Sequence, residues 1–397
     1  MKILHFAPNE KKFVTVAAEI FDTCGELENL FRVISADVSN AQEYFSGHPN
    51  IHVVNRRYAT SDALLEDLAW CDCVVVHFMD GIKAKAIMRA PRHLPVVWSG
   101  WGGDYFYLLP QGGRNLLGIE TRQLVKMLDW KIGCSVSNLK QKIKSIVKKI
   151  RNRVLYASWI KKAIVRTDYF SSPFPEDFDL LRTHFGEDFH PVYTRVFYGS
   201  VERTYVPGAE SIYGDNILVG NSSTATNNHL EVFKMLSRLD LGDRKIIVPL
   251  SYGDAAYRDA ILFHGRIIFG DRFQPVVDFI PLDQYNTLIA QCSTVVMGHR
   301  RQQGGGNTVT MLYKGAKVFL DEANTVYQYL KNRGAFVYTL HDLEAGGTNV
   351  FEPLTDVQKY KNRMVLEEYA SNEVVSRGLY DFARQIREHG GRKSEQD

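Results

Sequence analysis

Short runs of β-branched and apolar residues alternate along this chain with longer stretches of helical periodicity. In the first half these runs predict strands at 2–6, 32–35, 51–54, 73–77, 95–99, 169–172 and 192–197. A second series predicts strands at 216–220, 245–250, 266–269, 276–280, 294–297, 316–320 and 336–340, with helices at 229–239 and 282–291. Strands that alternate with helices are typical of wound α/β units built on parallel sheets.

The two series are separated by a stretch that has little periodicity. Residues 199–215 contain Pro207 and three glycines, which indicates an interdomain linker. The chain has 397 residues, more than the ~250–300 at which a single core stops growing. We therefore predict two doubly wound domains, 1–205 and 206–354, with C-terminal helices at 355–390. In such folds ligands bind beyond the carboxyl ends of the strands, so we expect the site in the cleft between the domains.

Composition narrows the class of protein. A hydrophobic content of 45% and a charged content of 23% exclude disordered, collagenous and coiled-coil proteins. Apolar runs such as 74–76 fall far short of the ~20 residues of a spanning helix, and the N-terminal apolar stretch is too short for a signal peptide. Five cysteines without a CxxC pair predict neither a disulfide framework nor a zinc site, and they favour a reducing cytosol.

Charge is distributed unevenly, although the net charge is only +3. Between Lys131 and Thr167 there is no acidic residue, while eleven positions are Lys or Arg. Apolar residues in this basic stretch fall on one narrow helical stripe, at 143, 146, 147, 150 and 154. Such a helix can lie in a membrane interface and attract anionic lipid. The membrane-contact candidates are Lys144, Lys148, Lys149, Arg151, Arg153 and Trp159.

Two alternative roles for the basic stretch stay open. It can be a solvated helix whose apolar stripe packs on its own domain. Nucleic acid is a weaker alternative, because the chain has no matching motif and no second basic patch.

The first motif with candidate chemistry follows the strand at 216–220. The strand ends in Gly220, a loop of small hydroxyl and amide residues follows, and a helix is predicted to begin near Asn228. Glycine lets the backbone approach a ligand closely, and the free N–H groups of a helix start suit an anion. The loop therefore predicts phosphate or ribose binding, and an ordinary N-cap role for Asn228 is compatible with it.

The second motif is the stretch 298–308, Gly-His-Arg-Arg-Gln-Gln-Gly-Gly-Gly-Asn-Thr. Three consecutive glycines expose backbone N–H groups, and Arg300 and Arg301 stay charged at any relevant pH. Together they predict a diphosphate cradle that needs no metal, with a plain flexible turn as the alternative. Val309 stands where a dinucleotide fingerprint has its third glycine or alanine, so no such fingerprint is present.

The third motif is a glycine-rich loop in the first half, at 97–105, with two indoles and one carboxylate. Indoles stack on sugar faces, and a carboxylate can accept a hydroxyl proton. We therefore predict acceptor contacts from Trp98 and Trp101 and a general-base role for Asp104, which is otherwise a helix N-cap. His77, at the end of the strand 73–77, points toward the same edge and is the second candidate base, with a structural role as its alternative.

These motifs together resemble a known family. In order along the chain they are Trp101-Gly102-Gly103-Asp104, Gly220-Asn221-Ser222, Asn228-His229, the strand end 248–253, and Arg301-Gln302-Gln303-Gly304-x-Gly306. The sequence is similar to the TDP-N-acetylfucosamine:lipid II N-acetylfucosaminyltransferases, which add 4-acetamido-4,6-dideoxygalactose during enterobacterial common antigen assembly. The likeness is firm over 216–340 and patchier over 70–200, and 110–149 looks like an expansion.

The resemblance implies a GT-B fold, α/β in class. Two Rossmann-like domains would face each other, the second holding the nucleotide-sugar and the first the acceptor, with the C-terminal helices crossing back. It implies an inverting, metal-independent glycosyltransferase without a cofactor, which uses a dTDP- or UDP-linked donor. The acceptor would be a glycan on a polyprenyl diphosphate, or another cell-surface glycan, reached from the cytoplasmic face of the membrane. The donor-binding residues that it implies are Gly220, Asn221, Ser222, Asn228, Tyr252, Gly253, Arg300, Arg301, Gln302, Gln303, Gly304, Gly306, Asn307 and Glu322.

Two rival functions are compatible with the sequence. A sugar-nucleotide epimerase of the same two-domain architecture would act on a soluble nucleotide-sugar and would have no evident use for the basic stretch. A non-catalytic nucleotide-binding relative would bind the nucleotide without sugar transfer.

Overall fold

The structure, a computed structural model, describes residues 1–109, 114–135, 158–196, 199–205, 211–347 and 350–394. The chain forms two compact units. The first comprises Met1–Pro110, Lys144–Ser200 and Ala370–Asp397, and the second comprises Gln111–Ile143 and Val201–Tyr369. Each unit is built on one parallel sheet.

The sheet of the first unit has seven strands among the described residues. They are β1 (Lys2–Pro8), β2 (Glu28–Ser35), β3 (Ile51–Asn55), β4 (Cys73–His77), β5 (Val96–Ser99), β6 (Tyr169–Ser171) and β7 (Val192–Tyr193). Their order is β3-β2-β1-β4-β5-β6-β7, and all pairs are parallel. Because β4 is central and covered on both faces, its sequence Cys-Val-Val-Val-His is buried along its whole length.

The sheet of the second unit has six described strands. They are β8 (Asn216–Val219), β9 (Ile246–Pro249), β10 (Phe273–Val276), β11 (Cys292–Met297), β12 (Lys317–Leu320) and β13 (Tyr338–Thr339). Their order is β10-β9-β8-β11-β12-β13, again with all pairs parallel. Both sheets therefore have the doubly wound order, in which the winding reverses between β1 and β4 and between β8 and β11.

Helices connect the strands of both sheets. In chain order they are α1 (Lys11–Asp22), α2 (Val38–Tyr44), α3 (Asp62–Trp70), α4 (Gly81–Ile87), α5 (Ile119–Ser135), α6 (Pro175–Phe185), α7 (His229–Leu236), α8 (Ala255–Phe269), α9 (Leu282–Ile289), α10 (Gly305–Lys314), α11 (Thr325–Asn332), α12 (Leu340–Ala345), α13 (Asp356–Ala370) and α14 (Asn372–Ser394). No helix in the described part of the chain is long and apolar enough to span a bilayer.

One predicted strand is wrong. Residues 266–269 form the last turn of α8, because Ile261, Gly265 and Phe269 recur every fourth residue and all face inward. The edge strand β10 begins only at Phe273, so the strand predicted at 276–280 overlaps it at a single residue. The apolar run at 266–269 is too short for its periodicity to separate a strand from a helix end.

The units differ from the predicted domain ranges in three places, the smallest of which is 201–205, a segment of the second unit. Residues 111–143 belong to the second unit, where Leu124 of α5 is buried in the core with Ile217 and Phe233. Of the C-terminal helices, α14 belongs to the first unit, where Phe382 packs against Phe21, whereas α13 lies almost entirely in the second. Long-range packing decides both assignments, which the order of residues along the chain does not reveal.

Candidate functional site

The loop after β8 is shaped around a glycine that no other residue can replace. Gly220 has a φ of 68°, and a Cβ there would lie 2.7 Å from Oδ1 of Asn227 and 2.8 Å from Nε2 of His229. Both of those side chains are fully buried. The loop therefore turns tightly over a polar interior, and its backbone stays open on the other side.

Asn227 organises this loop from within. Its Oδ1 accepts the N–H of Asn221 at 2.8 Å, and its Nδ2 donates to the carbonyl of Thr224 at 3.0 Å and to Oγ of Ser222 at 3.2 Å. Because a buried amide with all its hydrogen bonds made resists rotation, the loop geometry is fixed before any ligand arrives. Asn227 was not among the predicted site residues.

Asn221 links the loops that follow three neighbouring strands. Its Nδ2 donates to the hydroxyl of Tyr252, after β9, at 2.9 Å. Its Oδ1 lies 3.1 Å from Nε2 of His299, after β11, and accepts from Nε2 of Gln303 at 3.3 Å. The predicted donor-binding residues Asn221, Tyr252 and Gln303 are thus brought together, and the Tyr252 side chain stays 60% exposed.

The loop after β9 approaches the same point through its backbone. Gly253 has a φ of 122°, and a Cβ there would lie 2.7 Å from the carbonyl carbon of Ser223. Oγ of Ser223 donates to the carbonyl of Tyr252 at 2.7 Å. This close contact requires glycine and holds the two loops side by side.

Helix α10 begins at the centre of the site without a cap. Gly304, at the N-cap, is left-handed with a φ of 63°, no described side chain bonds the first turn, and that turn contains no acidic residue. A Cβ on Gly306 would meet nothing within 4 Å, so this position faces open space. The first backbone N–H groups and the positive end of the helix dipole are available to an anion. Asn307, in the same turn, donates from Nδ2 to the hydroxyl of Tyr285 at 2.7 Å.

The two arginines of the second motif differ in their surroundings. Nε of Arg300 donates to Asp321 at 3.2 Å, and its NH1 donates to the carbonyls of Asn115 at 3.2 Å and Leu117 at 3.5 Å. Arg300 therefore links its loop to Asp321 and to the 115–117 segment, and its contact with a diphosphate stays a prediction. Arg301 is half-buried and donates from NH1 to the carbonyl of Gln302 in its own loop at 2.9 Å.

Asn228 does not cap the helix that follows it. Its backbone is left-handed, with a φ of 52°, and no described side chain caps α7. Its Oδ1 accepts the N–H of Gly118 at 2.9 Å, and its Nδ2 donates to the carbonyls of Leu116 at 3.0 Å and Gly298 at 2.7 Å. The side chain is 2% exposed, so Asn228 fastens the 116–118 segment to the site and does not face a ligand.

The loop after β12 completes the carboxyl edge of this sheet. Asn324 is fully buried; its Oδ1 caps α11 at the N–H of Val326, and its Nδ2 donates to the carbonyl of His299 at 2.9 Å. Glu322 is exposed beside it, where the sequence predicts a ribose contact. Asn324 was not predicted from the sequence because its hydrogen-bond partner, the carbonyl of His299, lies in a different loop.

In the first unit, Asp104 is a buried acceptor. Oδ2 accepts the N–H of Met79 at 2.9 Å and Nε1–H of Trp98 at 2.8 Å, and Oδ1 accepts the N–H of Trp101 at 2.8 Å. The side chain is fully buried, and burial raises the pKa of its carboxyl. Asp104 therefore joins the loops that follow β4 and β5 and presents no surface to an acceptor.

His77 is also internal. Its Nε2 lies 2.9 Å from Nδ1 of His5, whose Nε2 lies 3.2 Å from Oδ1 of Asn29. The Asn29 amide donates to Asp22, so its oxygen faces His5, and both histidines carry their protons on Nε2. Burial lowers the pKa of His77 well below its usual range and that of His5 to about 3. This geometry gives His77 a structural role inside the sheet.

The two predicted acceptor indoles have different exposures. Trp98 is fully buried against Phe170, with ring centroids 5.1 Å apart, so it cannot lie against a ligand. Trp101 is half-buried, with its ring 5.1 Å from that of Phe13 and 5.9 Å from that of Phe78. Phe78 has a φ of 58°, a strained conformation for an aromatic residue, and strain of this kind concentrates at functional sites.

Most of the predicted membrane contacts lie outside the described residues, namely Lys144, Lys148, Lys149, Arg151 and Arg153. Trp159 is described and half-buried, with the ammonium groups of Lys85 and Lys162 5.4 and 5.1 Å from its ring centroid. Among the described residues, no three His, Cys, Asp or Glu side chains come together as a metal site.

Known structures share this architecture over nearly the whole chain. HepE from Anabaena, in complex with UDP and glucose, matches with a TM-score of 0.60 at 10% identity, covering 97% of this chain and 100% of that one. Sucrose-phosphate synthase from Thermosynechococcus elongatus matches at 0.64 and 8% identity, covering 97% and 99%. A Listeria monocytogenes protein described as a putative UDP-N-acetylglucosamine 2-epimerase matches at 0.55 and 11% identity, covering 98% and 97%.

The two doubly wound sheets and these matches define a GT-B fold, as the family resemblance implies. Within the second unit, residues 202–361 match the family described as 4-alpha-L-fucosyltransferase, glycosyl transferase group 56. This segment is therefore similar to that family of glycosyltransferases, which confirms the resemblance found in the sequence. The match includes every predicted donor-binding residue and does not include the 115–118 segment.

Proposed function

We propose that the chain is an inverting glycosyltransferase that transfers a deoxyamino sugar of the N-acetylfucosamine type. The donor is a dTDP- or UDP-linked sugar bound by the second unit, and the acceptor is a glycan on a polyprenyl diphosphate or at the cell surface. The observation that carries the proposal is the uncapped, glycine-rich start of α10, which lies inside the segment that matches the fucosyltransferase family. HepE, which shares the fold, holds UDP and glucose.

The donor diphosphate lies against the first turn of α10. The N–H groups of Gly305, Gly306 and Asn307 are aimed at it, and Arg301 adds a permanent positive charge from the preceding loop. The exposed ring of Tyr252, held at its hydroxyl by Asn221, offers a face to the nucleoside.

Transfer is a single displacement at the anomeric carbon. An acceptor hydroxyl oxygen forms the new C–O bond while the bond to the diphosphate breaks, and the diphosphate leaves with the electron pair. The helix start and Arg301 stabilise the charge that develops on the leaving group, and they do so without a metal ion. Because attack and departure occur on opposite faces of the sugar, the anomeric configuration inverts.

The acceptor hydroxyl must lose its proton to a base in the first unit. Asp104 and His77 are buried, so we assign this role to Glu10, which follows β1 at the point where the winding of the sheet reverses. Glu10 is exposed, and its carboxylate has no hydrogen-bond partner among the residues that the structure describes. Both of its oxygens are thus available to an acceptor.

The polyprenyl diphosphate that carries the proposed acceptor glycan accounts for the basic stretch 131–166. A polyprenyl diphosphate lies in the cytoplasmic leaflet, whose anionic headgroups attract clustered Lys and Arg. We therefore place the enzyme on the inner face of the cell membrane as a peripheral protein, with Trp101 on the acceptor side.

A thermal-shift panel tests the donor side. With dTDP, UDP, GDP, CMP and NAD, each with and without EDTA, we expect stabilisation by dTDP or UDP that survives EDTA. A ligand at 100 times its dissociation constant adds about 2.7 kcal/mol when it binds only the native state. Arg301→Gln is expected to reduce the increase in Tm that the nucleoside diphosphate causes. The increase caused by the corresponding nucleoside monophosphate should stay unchanged. Stabilisation by NAD alone, or by none of the five, would contradict the proposal.

A further inference from the structure

The loops that follow β8, β11 and β12 meet at one residue, His299. The side chain is fully buried. Its Nε2 lies 2.8 Å from Oδ1 of Asn227 and 3.1 Å from Oδ1 of Asn221, and its backbone carbonyl accepts from Nδ2 of Asn324 at 2.9 Å. A single residue therefore bonds to three other polar side chains at the carboxyl edge of the second sheet.

The surrounding bonds determine where the proton of His299 lies. The Asn227 amide cannot be turned around, because its nitrogen donates to the carbonyl of Thr224 and its oxygen accepts the N–H of Asn221. Nε2 of His299 thus faces an oxygen that only accepts, and it must carry the proton. Nδ1 then carries no proton, and this buried atom has no hydrogen-bond partner among the described residues.

The ring also supports the turn that begins α10. A Cβ on Gly304 would lie 3.2 Å from Cε1 of His299 and 3.4 Å from Cγ of Asn221. The left-handed glycine therefore rests directly on the imidazole and the asparagine that the imidazole holds. Any movement of the ring displaces the helix start against which the diphosphate lies.

We propose that His299, with its proton on Nε2, is the positioning residue of the donor site. It holds Asn221 in the orientation that reaches Tyr252 and Gln303, and it supports Gly304 beneath the diphosphate. His299 acts through these groups and does not touch the donor. The inference rests on the proposed function, since it assigns a role in binding a nucleoside diphosphate.

The protonation state agrees with this geometry. Burial and the nearby Arg301 and His229 lower the pKa of His299 well below its usual range. The imidazole is therefore neutral near pH 7, where the Nε2–H bond to Asn227 is present.

Two substitutions of His299 distinguish the loss of its Nε2–H donor from the loss of side-chain volume. Glutamine places its amide nitrogen where Nε2 of histidine lies, whereas the shorter asparagine reaches only the position of Nδ1. We expect His299→Asn to weaken binding of UDP or dTDP, whichever stabilises the wild type more, by about 10-fold, because a buried acceptor loses its donor. His299→Gln should stay within about threefold of the wild type. His5→Asn, at an equally buried histidine of the first unit, should lower Tm and leave the affinity unchanged.

Isothermal titration calorimetry and nitrogen-15 NMR of the imidazoles provide the readouts. A protonated Nε2 and a bare Nδ1 on the resonance that His299→Gln removes would support the proposal. Equal losses of affinity in both His299 variants, unchanged affinity in His299→Asn, or a proton on Nδ1 would overturn it while leaving the proposed function intact. A wild type that binds neither nucleotide would overturn both.

Discussion

At the residue scale, two carboxylates near the strand ends of the first unit have opposite surroundings. Asp104 is closed in by three donors, whereas Glu10 is open at the end of β1. We expect Glu10→Gln to lower the rate of sugar transfer about 10²–10⁴-fold, with nucleotide affinity unchanged, because the acceptor proton loses its destination. Transfer from a dTDP- or UDP-linked deoxyamino sugar, followed by chromatography of the product, measures it.

Glu19→Gln is the matched control, since Glu19 is also exposed and lies on α1, which Glu10 precedes. It should transfer sugar at the wild-type rate. Transfer by Glu10→Gln at that same rate would remove Glu10 from the mechanism.

The sequence predicts residues whose role depends on their neighbours in the chain, and it fails for residues whose partners are distant in the chain. The tight loops after β8 and β11 are predictable because glycines directly after a strand usually serve a turn, and Gly220 and Gly304 indeed have a positive φ. The role of Asp104 is not predictable in this way, because it depends on the N–H of Met79, 25 residues away. Likewise, nothing local in the sequence shows that Arg300 is engaged by the carbonyls of Asn115 and Leu117.

At the scale of elements, α5 is the unexpected component of the second unit. Glu231 of α7 accepts both the N–H of Thr121 at 3.0 Å and its hydroxyl at 2.5 Å, and Leu124 is buried among core residues. Residues 115–117, directly before α5, provide the carbonyls that hold Arg300 and Asn228. Helix α5 therefore contributes both to the stability of the unit and to the shape of its site.

We expect Leu124→Ala to destabilise the second unit by about 2–4 kcal/mol, because it leaves a cavity in the core. Loosening α5 should also weaken nucleotide binding through the 115–118 segment. Met127→Ala, on the same helix but 56% exposed, should change stability by less than about 0.5 kcal/mol. Urea unfolding of both variants measures the difference, and equal small effects would mean that α5 is only loosely attached.

At the scale of the whole molecule, buried neutral histidines make stability depend on pH. Burial lowers the pKa of His5 and of His229 from 6.5 to about 3, and it lowers those of His77 and His299 as well. Between about pH 6.5 and 3 the unfolded chain binds more protons than the folded one, so stability falls as pH falls. Asp104, with its raised pKa, opposes this trend as a single group.

From pH 7 to pH 5 we expect the free energy of unfolding to fall by about 2 kcal/mol for each of His5 and His229. Thermal unfolding at several pH values should show Tm constant above pH 7 and falling steeply below about 6.5. His5→Gln should reduce the slope of that fall. A Tm that stays level down to about pH 4 would mean that these histidines are not buried as neutral groups.

The interleaved composition of the two units has a consequence for the order in which they fold on the ribosome. The first unit begins at residue 1 yet includes α14, whose Phe382 packs against Phe21. Its amino-terminal strands leave the exit tunnel long before that partner is synthesised. The second unit has its last residue at 369, so all of its segments emerge earlier. The half of the protein that is synthesised first is thus the half that is completed last, and a ribosome that stalls near residue 370 would release a complete second unit attached to an incomplete first one.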